Sequence, residues 1–432
     1  MNYGLACVIA VCGQPIATAT LVARSPSPQF QVLVASMFQI ECVREPVQLA
    51  KLKSDWDRLS QGALMQRHAW MSSWWLSHQD NYRPHVLVAA RGGQVCGILP
   101  LAETRNTWTG RTLVFVGSGK VCSDDLGLIC NEDDGIFLAE AFATFVANSL
   151  ECCRWDHLNL DGVRDKNQHM QRFLRVLETL TGSSVEIKPS PCCWSASLHG
   201  GREAYLGRLS KRARKLLSNA HKEVNDGRSK FQLATTSKQA SDFLRVIESL
   251  HQSRWKERGI DGCFSEKSFS DFLTTATSAL WEDAWTETNS KEENCEFQNR
   301  PQQRVQIGLL HIEGRPAAGA VCLLDRDALA VYLTGMNPEF AERRPGWQLL
   351  SQFIQHACEL GCARIDFLRG DEEYKARLNA TPTEQRRYVI ASSRWSSQIR
   401  NTAYRAASNV KKWWNFTPTT QDPVVTPQPI ET

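Results

Sequence analysis

Ile365-Asp-Phe-Leu-Arg-Gly-Asp-Glu-Glu-Tyr-Lys375 is a short apolar strand that runs without a break into a cluster of charge, and the fold is legible outward from it. Upstream, residues 347–360 read as a helix, preceded by the loop Arg343-Arg344-Pro345-Gly346. Proline just inside a helix start is a familiar signal. Further upstream, three apolar runs at 305–312, 317–324 and 328–334 read as strands, joined by turns at Glu313-Gly314-Arg315-Pro316 and Asp325-Arg326-Asp327. A helix over 241–258 precedes them. Strands alternating with helices in this order place the chain in the α/β class, with a mixed central sheet flanked by helices.

The first half repeats the pattern. Helical spacing of Trp56, Leu59, Trp70, Trp74 and Trp75 predicts two helices between Val43 and Leu76. A hairpin follows, 85–90 and 95–101 about the turn Arg91-Gly92-Gly93-Gln94, then a strand over 113–116, an acidic loop at Asp133-Asp134, a helix over 136–150 and a strand over 155–160 that ends in Asp161-Gly162. Gly92 and Gly97 flank the first hairpin turn as Gly314 and Gly319 flank the second. The repeated order implies a duplication, with one unit over 43–195 and a second over 227–394.

Between the halves, residues 202–226 read as one helix. Leu206, Leu209, Ala213, Leu216, Leu217, Ala220 and Val224 form its apolar stripe, and Arg208, Lys211, Arg212, Lys215 and Lys222 its opposite face. That basic face is either solvated surface or a dock for phosphate-rich ligands. Residues 281–304 are polar and aperiodic, an insertion loop. Trp395, Ile399, Ala403, Ala406, Val410 and Trp413 predict a closing helix over 395–414, and the Thr- and Pro-rich 415–432 a disordered tail. Residues 1–36 are taken as a disordered or spurious extension: the apolar run Leu5–Cys12 lacks the basic flank of a signal peptide.

Composition narrows the class. The chain has 432 residues, 42% hydrophobic and 22% charged, with a formal net charge of +4. This charge is too mild to make nucleic acid the default partner of the whole chain. Fifteen cysteines show no repeated Cys-x-x-Cys spacing and sit mostly in apolar runs, so they read as small buried hydrophobes of a reducing, cytoplasmic compartment, with no metal site. Gly117-Ser-Gly-Lys120 lacks P-loop spacing, and neither Gly-x-Ser-x-Gly nor His-Glu-x-x-His occurs.

Chemistry concentrates where the strand 364–368 meets its charges, the usual place for ligands in α/β folds. Asp366 lies among Ile365, Phe367 and Leu368; burial would raise its pKa and suit it to accept a proton from an amine. It is equally readable as a carboxylate satisfied by backbone donors or by Arg364. Tyr374 is placed to protonate a leaving thiolate. Arg369, Asp371, Glu372 and Lys375 are expected to contact substrate. Arg343, Arg344 and Gly346 are expected to hold the phosphates of a cofactor at a helix N-terminus.

These residues resemble a family. Tyr332-Leu-Thr-Gly-Met-Asn-Pro-Glu-Phe340, Arg344-Pro-Gly346 before a helix, Asp366-Phe-Leu-Arg-Gly-Asp-Glu-Glu-Tyr-Lys375, and the basic Leu209-Ser-Lys-Arg-Ala-Arg-Lys215 are similar to the GNAT-related CelD-like and BioF-like acetyltransferases, relatives of the Fem peptidyltransferases. The resemblance implies tandem GNAT-like domains and transfer of an acyl group from acyl-coenzyme A, such as acetyl-CoA, to a small-molecule or saccharide amine in polysaccharide production. Its relatives also imply an aminoacyl-tRNA-dependent transferase, against which the small net charge weighs, or a non-catalytic assembly protein. In this chain the usual Gln/Arg-x-x-Gly-x-Gly/Ala loop is reduced to Arg343-Arg344-Pro-Gly.

Overall fold

The computed structural model describes residues 37–60, 63–107, 109–148, 154–257, 259, 261–283, 303–325, 327–394, 397 and 402. The extension 1–36, most of the polar segment 281–304, all but two residues of the expected closing helix 395–414 and the tail 415–432 lie outside the described residues.

The first half runs β1 (Gln39–Val43), α1 (Pro46–Lys51), α2 (Lys53–Leu59), α3 (His68–His78), β2 (Arg83–Pro84), β3 (Val86–Arg91), β4 (Gln94–Leu99), β5 (Leu101–Asn106), β6 (Gly110–Phe115), β7 (Ile129–Cys130), α4 (Gly135–Asn148), β8 (His157–Arg164), α5 (Gln168–Thr181) and β9 (Val185–Ser197). The second runs α6 (Gly201–Arg208), α7 (Lys211–Asn225), β10 (Ser229–Leu233), α8 (Ser237–Glu257), α9 (Lys267–Glu282), β11 (Val305–Ile312), β12 (Arg315–Leu324), β13 (Ala328–Met336), α10 (Pro345–Glu359), β14 (Arg364–Arg369), α11 (Glu373–Arg377) and β15 (Thr381–Ala391). This is the mixed α/β class expected.

Three expectations are corrected. The strand expected over 95–101 is two: Pro100, which has no N–H to donate to a ladder, ends β4 in one sheet and releases β5 into another. The helix expected over 202–226 is also two, because the chain turns extended at Leu209 and restarts at Ser210, whose Oγ accepts from the Ala213 amide and so caps α7. Residues 43–76 hold three helices, not two, with β1 ahead of them.

β1, β3, β4 and β7 form a four-stranded sheet, and the other strands form one eleven-stranded sheet in the order β10-β11-β12-β13-β14-β9-β15-β8-β6-β5-β2. Strand β9 of the first half lies between β14 and β15 of the second, and β15 pairs in turn with β8. All pairings are antiparallel except β6 with β8 and β13 with β14. Each parallel pair is bridged by a helical crossover, α4 in the first half and α10 in the second, as a parallel connection requires.

One core cluster packs α6, α7 and α10 on a face of the second half through Leu206, Ala213, Leu217, Trp347 and Phe353. The other joins α8 and α9 to the first half. At that junction Trp70 is fully buried, edge-on to both Phe272 and Tyr332, and donates through Nε1 to Ser123 Oγ at 2.8 Å. Helix α8 lies so close to β13 that a Cβ on Gly335 would stand 2.7 Å from the Ile247 carbonyl and 2.9 Å from the His251 amide. Backbone cannot yield as a side chain can, so Gly335→Ala is expected to cost about 1–3 kcal/mol, read from the urea midpoint. A midpoint unchanged from wild type would show that α8 can slide.

Candidate active site

Strands β13 and β14 pair only at Ala328–Arg364, Leu329–Ile365 and Ala330–Asp366, although they continue to Met336 and Arg369. Beyond Asp366 they no longer pair, which leaves a fork in the sheet with Asp366 at its base. The cause lies in β14 itself. Its register against β9 slips between Asp366 and Leu368, and Leu368 takes φ +55°, a left-handed conformation uncommon for such a residue. Two side chains sustain the kink. Asp366 Oδ1 accepts from the Leu368 amide at 2.8 Å, and Lys375 Nζ donates to the Leu368 carbonyl at 3.1 Å.

Asp366 is held in an unusual electrostatic state. Burial pushes its carboxyl up to about 6, with the Leu368 N–H opposing and Asp124 and Asp125 adding to the rise. A group with such a pKa exchanges its proton near neutrality, as a general base must. Burial likewise raises the Tyr374 phenol, which packs edge-on against Phe367 with ring centroids 6.1 Å apart.

Two residues expected to contact substrate are engaged elsewhere. Lys375 is almost fully buried; its ammonium donates to the carbonyls of Leu368, Arg369 and Gly370 and pairs with Glu372 at 2.9 Å. An ammonium has three protons to give, so Lys375 holds the turn rather than a ligand. Arg369 reaches into the first half: its backbone N and Nε donate to Asp124, Nη1 to Asp161 at 3.2 Å and Nη2 to the Ser123 carbonyl at 3.0 Å. Asp371 and Glu372 are exposed at the rim, and Asp371 accepts from Trp194 Nε1 at 3.1 Å.

The loop before α10 divides its two arginines. Arg343 pairs with Glu223 at 3.1 Å and with Glu313 at 3.7 Å. Arg344, half-buried with φ +51°, is the residue at which α10 begins, and among the described residues it has no ion-pair partner. Gly346 is needed for close approach, since a Cβ there would lie 2.7 Å from Met336 Sδ at the end of β13. The helix start, one open cation and the end of β13 thus meet at the mouth of the fork. In the first half the same position, before α4, carries Glu132, Asp133 and Asp134, with Asp134 bound by Arg91 at 2.9 Å. Acid at a helix N-terminus repels phosphate, so the start of α4 is unlike the start of α10 in charge.

Sequence reading missed Asp124, which is buried, and His251. The His251 imidazole is held neutral, its pKa lowered to about 4 by burial and then by Arg254; its Nε2 accepts from Trp255 Nε1 at 2.8 Å, and Cys263 Sγ lies 3.6 Å away. A signal for Asp124 did exist in Asp161-Gly162. Gly162 has φ +75°, and a Cβ on it would meet the Ser123 carbonyl at 2.6 Å and Arg369 Nη2 at 2.8 Å. Among the described residues no group of His, Cys, Asp and Glu is arranged to hold a metal, and no helix is long and apolar enough to cross a membrane.

Residues 210–376 match the acetyltransferase (GNAT) domain family. No curated protein sequence matches the chain. Among solved structures, FemX superposes with a TM-score of 0.55 at 10% identity, over 81% of this chain and 96% of that one. The C-terminal domain of a lysylphosphatidylglycerol synthetase from Agrobacterium fabrum (TM-score 0.47, 10% identity, 82% and 95% covered) and a tandem GNAT protein from the clavulanic acid pathway (0.42, 12%, 82% and 98%) are looser matches. Residues 210–376 are thus similar to the acetyltransferase (GNAT) domain family, within a fold similar to that of FemX.

Proposed function

We propose that the chain is an N-acyltransferase of the CelD-like and BioF-like kind, built from two GNAT-like units over 43–195 and 227–394, and that it transfers an acyl group from acyl-coenzyme A to an amine such as an amino sugar. The observation that carries this reading is the fork between β13 and β14, with Asp366 at its base and the start of α10 at its mouth. Arg344 and the first-turn amides of α10 would bind the donor's phosphates, and the close fit of Gly346 against Met336 brings those amides to the fork. The donor supplies an activated thioester carbonyl.

The acceptor must arrive as a neutral amine. Asp366, ionised above about pH 6, takes the proton from its nitrogen as the new N–C bond forms. Tyr374, kept protonated by its burial, gives its proton to the departing sulfur as the C–S bond breaks. Asp371 and Glu372 at the rim attract the acceptor in its ammonium form, which sheds a proton to solvent before the neutral amine enters the fork. Lys375 and Arg369 act on the reaction by holding the kink that aims Asp366.

The test is a thermal-shift titration with acetyl-CoA. A ligand at a hundred times its Kd adds about 2.7 kcal/mol to the folded state, which raises the melting temperature of a chain this size by roughly 2–4 °C. A melting temperature that stays flat up to millimolar acetyl-CoA would remove coenzyme A as the donor.

A further inference from the structure

The reaction above makes no use of the outer face of α7. Lys211, Lys215 and Lys222 fall at i, i+4 and i+11 of that helix, within one narrow arc, and Arg212 flanks them. All four are exposed, and among the described residues none has an ion-pair partner. On the opposite arc Ala213, Leu217 and Ala220 are buried in the core, so the helix cannot roll and its cations stand outward in a fixed row about 16 Å long. Like charges at i and i+4 destabilise a helix, which is a standing cost unless something anionic meets them. The row ends beside the acyl site: Glu223, next to Lys222, holds Arg343 of the loop that opens α10.

We propose that this face docks an acidic acyl-carrier protein, whose phosphopantetheine arm brings the thioester to the fork between β13 and β14; the inference rests on the acyl-transfer reading above. The phosphopantetheine thioester is common to coenzyme A and to carrier proteins, which differ in what lies beyond the phosphate. At the start of α10, Arg343 is taken by Glu223 and Glu313, and Arg344 remains. One cation and a helix N-terminus suit a single phosphodiester better than a pyrophosphate with a further ribose phosphate. A short row of four cations, with Ser218 and Asn219 between them and no exposed aromatic side chain on the helix, matches a small acidic protein surface. Nucleic acid is served less well, since such contacts commonly neutralise about six to ten phosphates and, on single strands, stack bases on aromatic rings.

A fluorescently labelled holo acyl-carrier protein is titrated into the wild type and into a Lys211→Glu, Arg212→Glu, Lys215→Glu variant, with binding read by anisotropy and acetyl-CoA binding by thermal shift in parallel. Saturable binding to the wild type is expected, weakened about tenfold or more by the triple reversal and weakened again on moving from about 0.02 to 0.15 M salt. The melting temperature and the acetyl-CoA shift should be the same in both proteins. Lys222→Glu alone, and a triple glutamine variant, guard against a fold disturbed by excess acid and should weaken binding in smaller steps. Carrier binding that is absent, or indifferent to all these changes, while acetyl-CoA still shifts the melting temperature, overturns the docking face and leaves the acyl-transfer reading standing. A short RNA duplex that binds in its place, and is lost in the variant, assigns the face to nucleic acid and overturns the proposal. Should acetyl-CoA, pantetheine 4′-phosphate and the carrier all fail to bind, the acyl-transfer reading falls first and the docking proposal with it.

Discussion

Asp366→Asn is expected to lower turnover by about a hundredfold or more, the usual contribution of one positioned general base, while the protein stays folded. The amide oxygen can still accept the Leu368 N–H that supports the kink, but it cannot take a proton from an amine. Stability has a definite sign here. The folded-state pKa is raised from 3.8 to about 6, so the folded protein binds more protons than the unfolded one between those values. The native state therefore loses stability as pH rises through that window, by roughly 3 kcal/mol in all at about 1.4 kcal/mol per unit. Asparagine carries no charge to desolvate, so the variant's melting temperature at neutral pH should equal or exceed that of the wild type. Wild-type kcat/KM should climb with pH along a limb centred near 6, and that limb should vanish in the variant. Tyr374→Phe should lower turnover and keep the limb. Near-wild-type turnover in both variants would remove the pair from the mechanism, and an unfolded Asp366→Asn would make the carboxylate a structural anchor of the kink.

Arg369→Ala is expected to have the largest effect on stability of any single change at the site, about 3–5 kcal/mol, since removing one member of a buried ion pair strands its partner. Asp124 is 6% exposed and receives both the backbone N and the Nε of Arg369. Asp161 would suffer less, because Arg387 also donates to it at 2.8 Å. The measurement is the free energy of unfolding in urea for Arg369→Ala, Asp124→Leu and the double variant. The double variant should recover much of the single loss, because it leaves no unpaired buried charge. A loss below about 1 kcal/mol for Arg369→Ala would place the pair among weak surface bridges and would end its role as the strut that fixes β14 against the first half.

Sequence alone determined some local elements of the second half, but it gave no reading for β10, α9, α11 or β15. The strand over 305–312 lies where the apolar run placed it, and the helix before the fork and the strand 364–369 fall within a residue or two of their reading. Hydrophobic period and turn residues act over a few positions, and there the neighbours in sequence are the neighbours in space. Breaks were harder to see, although Pro100 and Ser210 carried local signals for two of them. The charge cluster at 366–375 was legible as a break from apolar strand to charge, and in the structure Asp366 stands at the last pair before β13 and β14 part, while Tyr374 packs against Phe367.

Which of those charges stay available was decided only in three dimensions. Arg369 and Lys375 look alike in sequence as cations beside a strand end. One is bound by an aspartate 245 residues away and the other by three carbonyls of its own turn. Strand β9 could not be assigned its place between β14 and β15 from its residues, because a half-exposed strand pairs with whichever edge the packed helices leave open. The fork has the same origin. Nothing in the residues 328–336 or 364–369 says that two parallel strands will part after three pairs; the slip of register against β9 and the left-handed turn at Leu368 decide it. A chain's short-range pattern selects its elements, and long-range burial selects which of their polar groups are satisfied internally and which remain to act.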